Sequence, residues 1–310
     1  MYARCLAYFL SEAPVVHGQH TVAKDILLCN DDKRAMDRLA QLYINNIILL
    51  FRQNKGKTPE PSHHSSRPYS DYDSCLYSST VEPAPQDHRA AKRAALERDG
   101  YNCMITGLHD SGKYRELTPA DRAARGWNNF PIKTHFCHIF PPSTNWELEL
   151  NLPNHPKTTH AEHMWNLIYA FGGIQVLDEL NGDSIHRMSN GLTLSLYVHD
   201  QFDELELWFE EVPNGPPHTY ILCTMLPVMK GPITPITFTS SSPELELLDP
   251  RYLRLHAAVC RVDQMSGAAE YLYKNDRDME QMSVLAQDGS SSELLASRLQ
   301  RLVLAPPKTA

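Results

Sequence analysis

The chain has 310 residues, 42% hydrophobic and 21% charged, with a net charge of -8 at pH 7. Ordinary apolar content with 14 Tyr, 9 Phe and 4 Trp excludes a wholly disordered chain, and the acidic balance excludes a uniformly basic surface. No apolar run approaches the roughly 20 residues that cross a bilayer, Met1–Leu10 lacks a signal-peptide cleavage site, and seven Cys without a Cys-x-x-Cys pair read as free thiols, so an intracellular protein without a membrane span is expected.

Residues 1–56 read as an N-terminal helical region. Asp31-Asp32 places acids at a helix start, and Met36, Leu39, Leu42, Tyr43, Ile47 and Leu50 recur at helical spacing until Gly56 and Pro59 stop the pattern. Residues 57–88, rich in Pro, Ser and Asp, lack either period and read as a linker or arm. Arg89–Asp99 is a short basic helix ended by Gly100. Tyr101–Thr106 and Thr134–Phe140 read as strands, the second stopped by Pro141-Pro142. An insert over 143–187 holds a helix near Ala161–Phe171. A short strand Leu192–Leu194 then feeds a helix that Ser195 caps. Residues 213–310 read as a closing α/β subdomain. It has β-prone stretches at Tyr220–Met225 and Ile233–Thr239, a long helix over Pro250–Tyr273, and a last amphipathic helix over Ser291–Leu304.

Chemistry concentrates in three pieces: Cys137-His138-Ile139-Phe140-Pro141, Ser189-Asn190-Gly191, and His199-Asp200-Gln201-Phe202-Asp203. A strand-end histidine, a turn asparagine and a helix histidine fit one hairpin-plus-helix unit. His199 and Asp203, four apart, share a helix face. His135 falls on the strand face opposite His138 and reads as exposed or capped. Cys103 and His256 read as core residues. His155, His160 and His163 form only a weak metal pattern.

These pieces, with Arg98–Gly107, Phe202-Asp203 and Glu206–Phe209, resemble the HNH endonuclease family, in particular its fungal group with a long helical and Pro-rich N-terminal region. The resemblance implies an α+β fold: a small ββα-metal core with long inserts over 89–212, flanked by N- and C-terminal helices. It implies DNA as substrate and one divalent ion, Mg, Mn, Ni or Zn. His138 would be the general base, suited by an ordinary imidazole pKa near 6.5. Asn190 would fix the loop, and His199 would bind the metal. The residue before the base is often a metal ligand in this family. Here it is Cys137, either a soft ligand favouring zinc or a small buried residue. Asp203 is either the second ligand or a carboxylate paired with an arginine. Asp200-Gln201 stand where the group often carries a basic residue.

Arg89, Lys92, Arg93 and Arg98 supply the expected nucleic-acid face, continued by Lys113, Arg115, Arg122 and Arg125. Tyr101, Trp127 and Trp146 are available for stacking or packing. The competing reading keeps the fold as a catalytically inactive module that binds nucleic acid or protein.

Overall fold

A computed structural model describes residues 1–52, 88–142, 156–180, 182–226 and 235–281. The arm expected over 57–88, except His88, lies outside these residues, as do Trp146, His155 and the helix expected over Ser291–Leu304.

The N-terminal region is helical: α1 (Tyr2–Glu12), α2 (Val16–Leu28), α3 (Lys33–Tyr43) and α4 (Leu49–Phe51), with a π turn at Ile44–Ile48. Asp32 caps α3 by accepting a hydrogen bond from the Arg34 amide at 2.9 Å. Helix α5 (His88–Arg98) follows, then two short helices, α6 (Ser111–Glu116) and α7 (Pro119–Ala124).

Strand β1 (Thr134–His138) pairs antiparallel with β2 (Gly191–Ser195), with Cys137 opposite Leu192 and His138 opposite Gly191. Between them lie α8 (Pro156–Gly172) and α9 (Val176–Leu180), then 3-10 turns at Gly182–His186 and Met188–Asn190. Helix α10 (Leu196–Asp203) leaves β2 directly. The Ser195 hydroxyl caps it by accepting from the Val198 amide at 3.4 Å. A second antiparallel sheet joins β3 (Leu207–Glu211), β4 (Thr219–Thr224) and β5 (Ile236–Thr237). Helices α11 (Pro250–Ser266) and α12 (Ala268–Gln281) end the described chain. The molecule is α+β, with small antiparallel sheets among helices.

Two local expectations change. Tyr101–Thr106 is a series of turns rather than a strand. Gly100 and Tyr101 both adopt the left-handed region, at φ 61° and 63°, which breaks extended backbone. The segment still meets the hairpin, because the Met104 amide donates to the Thr193 carbonyl at 2.9 Å. The helix expected over Pro250–Tyr273 divides at Gly267, which at φ 83° serves as a left-handed cap.

The hairpin β1–β2 lies between helices. Phe136 packs with Ala91, Ala94 and Ala95 of α5, together with Met188 and Leu245. Cys137, pointing to the other face by strand alternation, joins the large core with Leu192, Leu194, Val198 and Phe202. That core runs from Cys5 and Phe9 in α1 to Leu272 in α12. Gly191 is required by this packing. A Cβ there would lie 2.0 Å from the Phe136 ring.

Candidate metal centre and its imidazole neighbours

The α10 face of β1 gathers three possible ligands. Cys137 Sγ, an imidazole nitrogen of His199 and a carboxylate oxygen of Asp203 all lie within 4.8 Å of one another. Asp203 holds the other two: its Oδ1 is 3.9 Å from Cys137 Sγ, and its Oδ2 is 3.3 Å from His199 Nε2. The helical offset of four aligns His199 with Asp203, and the hairpin register brings Cys137 beneath them. Burial pushes the Cys137 thiol pKa up, and the adjacent Asp203 carboxylate pushes it further. Without an ion, the sulfur is therefore held as a thiol.

This donor set fits one divalent ion. A sulfur, an imidazole nitrogen and a carboxylate oxygen make three protein ligands, the number that leaves a coordination position open in catalytic zinc sites. The sulfur favours zinc over magnesium. Binding would release the thiol proton, because the thiolate is the ligand form.

His135 shares this face. Its ring is half-buried and meets the His199 ring edge-on at 5.6 Å between centroids, so it is neither exposed nor remote from the cluster. Burial lowers its pKa, and Lys92 and Lys133 lower it further. Positive charge from α5 and from the start of β1 thus reaches the edge of the cluster.

His138 lies on the α5 face of the same strand, one peptide from Cys137. It is 5% exposed, and its Nε2 is 3.0 Å from His186 Nδ1. His88 stands 5.7 Å from it, ring centroid to ring centroid, and Phe136 packs edge-on at 4.7 Å. Burial holds the His138 pKa down to about 2, reinforced by His186, His88 and His199. The ring is therefore neutral and resists taking up a proton, which departs from the ordinary imidazole value near 6.5 expected of a general base and counts against that role for His138 in this buried state. The structure brings Cys137, His199 and Asp203 together, and sets His138 with His186 and His88 on the opposite face.

Asn190 is fully buried and ties three backbone groups. Its Oδ1 accepts from the Phe140 amide at 2.8 Å, and its Nδ2 donates to the Phe140 carbonyl at 3.1 Å and the Ile185 carbonyl at 2.9 Å. It pins the chain just after His138 to the chain just before His186.

The basic face needs one correction. Arg98 is 0% exposed and does not face a ligand. Its guanidinium makes a forked pair with Asp99 at 2.7 and 2.9 Å, and donates to the Met188 and Gly191 carbonyls at 2.7 and 2.8 Å. It clamps the entry to β2 around Asn190. Arg89 is exposed, and Lys92 and Arg93 are partly exposed, on α5. Trp127 is packed between His109 and Tyr114, stacked at 4.5 and 6.4 Å. Cys103 is a core thiol whose sulfur accepts from the Ser195 amide at 3.2 Å, steadying the start of α10.

His186 and His88 were not among the residues singled out from the sequence. His186 precedes Asn190 by four, in a polar insert without a period, so its link to a strand 48 residues earlier had no local signal.

Residues 103–210 match the HNH endonuclease family model, a span that contains the hairpin, Asn190 and α10. The match supports a nuclease-family function in general and a nucleic acid as the substrate class. No curated protein and no solved structure matches the chain. Among the described residues, no helix is long and apolar enough to cross a membrane.

Proposed function

We propose that the protein is a metal-dependent endonuclease that hydrolyses DNA phosphodiester bonds at the end of β1. The observation that carries this reading is the convergence of Cys137, His199 and Asp203 on one point, one peptide from the buried neutral His138. Those three residues would hold one divalent ion, with Asp203 keeping both partners in place. When bound, the ion supplies Lewis-acid stabilisation of the phosphate oxygens and the leaving oxygen.

The remaining work belongs to the chain. His138 accepts a proton from the attacking water as its oxygen bonds to phosphorus and the bond to the leaving sugar oxygen breaks. The leaving oxygen takes its proton from solvent. Asn190 keeps the His138 segment in place through the Phe140 backbone. Arg89, Lys92 and Arg93 supply cations for the DNA backbone, a contact that positions the duplex without reading its sequence.

A binding module without cleavage is the second reading. The 5% exposure of His138 favours it, because a general base must meet water. Supercoiled-plasmid nicking separates the two. The purified protein is assayed with magnesium, manganese, nickel or zinc, beside His138→Ala and His199→Ala. Nicking by wild type alone supports the endonuclease. A folded, DNA-binding wild type that fails to nick with any of the four ions supports the module.

A further inference from the structure

We infer that His186 is a positioning residue for His138, fixing the tautomer that makes it a base. The inference rests on the endonuclease reading and extends it to a residue outside the three-letter motif. His138 and His186 meet nitrogen to nitrogen at 3.0 Å, between Nε2 of the first and Nδ1 of the second. A neutral imidazole has one N–H and one lone pair, so this contact selects one ring nitrogen for each role. The 3.0 Å contact is met equally by either polarity; in the inferred one, His138 Nε2–H donates to His186 Nδ1, and His138 Nδ1 keeps the lone pair that accepts the proton of water. The opposite polarity would put the proton on Nδ1 and disable the base.

The fold holds this pair by an independent route. Asn190 bonds the Phe140 backbone, two residues after His138, and the Ile185 carbonyl, one residue before His186. One side chain therefore fixes both imidazole-bearing segments. Rings on the remaining sides reinforce the arrangement. Phe136 stands edge-on to His138, and His88 contacts both imidazoles, with ring centroids 5.7 and 6.3 Å away. A second group orienting the base is the usual requirement in acid–base catalysis.

The test uses the full chain with nitrogen-15-labelled histidine. Side-chain nitrogen–proton correlation spectra are recorded at pH 8 for wild type, His186→Phe and His186→Asn. Phenylalanine keeps a ring beside His138 and removes the acceptor, whereas asparagine restores an acceptor near the Nδ1 position. The expected result is a His138 Nε2–H tautomer in wild type and in His186→Asn, and a mixed population in His186→Phe. Plasmid nicking should follow, with kcat at least tenfold lower in His186→Phe, unchanged KM and unchanged metal affinity, and partial recovery in His186→Asn. A His138 Nδ1–H tautomer in wild type, or one unaltered by His186→Phe, would overturn the inference. The spectra decide this even if wild type does not nick DNA, an outcome that counts against the endonuclease reading alone.

Discussion

Arg98 shows how far a residue's role departs from its letter. It sits on a basic helix, where the pattern of Arg89, Lys92 and Arg93 implies a solvated cationic face. Its side chain instead turns inward and holds β2 through Asp99, Met188 and Gly191. Removing one member of a buried, hydrogen-bonded charge pair typically costs about 3–5 kcal/mol. Arg98→Ala should therefore lower unfolding free energy by about that amount in urea denaturation. Lys92→Ala should leave stability nearly unchanged, weaken DNA binding for all sequences alike, and reduce the salt-dependence slope by about 0.9. An Arg98→Ala protein of wild-type stability with weakened DNA binding would restore the surface role. Local chemistry made Ser195 legible as a helix cap and Asp31-Asp32 as a helix start, because a helix start needs only its own neighbours in sequence. The burial of Arg98 and the pairing of His186 with His138 depend on groups brought together by tertiary packing. Neither leaves a periodic trace.

At the scale of elements, the hairpin carries Cys137 on one face and His138 on the other, and flanking helices pack against both. Helix α10 is backed by α11, where the buried His256 ring stacks on Phe202 at 3.9 Å with an interplanar angle of 5°. Burial holds the His256 pKa down to about 3, against an ordinary value near 6.5. Above pH 6.5 the ring is neutral in both folded and unfolded chains, and the contact keeps its full stability. As pH falls from 6.5 towards 3, the unfolded chain takes up a proton that the folded chain refuses, and stability is lost. The loss approaches about 1.4 kcal/mol per pH unit once pH is well below 6.5. His256→Leu removes this linkage. The stability of wild type relative to His256→Leu should therefore decline between pH 7 and pH 4 in parallel urea titrations. A constant difference across that range would show that His256 is not held neutral. The order of strand, turn, strand and helix was readable from Pro141, Ser189–Gly191 and Ser195. The supposed first strand was not, because the left-handed Gly100-Tyr101 corner overrides the β-prone composition that follows it.

Across the whole molecule, the N-terminal helices and the nuclease-like region share one core. Phe9 of α1 packs against Tyr43 and against Phe171 of α8, with ring centroids 4.9 and 5.3 Å away. Arg261 of α11 bonds both Glu12 of α1 and Glu210 of β3. The sequence divides by composition into four stretches, but composition does not reveal which apolar faces meet. Phe9→Ala should cost about 3–5 kcal/mol and shift one cooperative transition followed by both far-UV and aromatic signals. Two separate transitions, with only the first moved, would show that the N-terminal helices fold apart from the hairpin.

Cys137, His199 and Asp203 are proposed to hold one divalent ion. Cobalt titration of the metal-free protein, followed by near-ultraviolet and visible absorption, tests this claim most directly. The expected result is saturation at one cobalt per chain, with a sulfur-to-cobalt charge-transfer band that zinc displaces. Cys137→Ser should lose that band while keeping weaker binding, and His199→Ala should abolish stoichiometric binding. A folded wild-type protein with no charge-transfer band and no saturable cobalt uptake would contradict the claim.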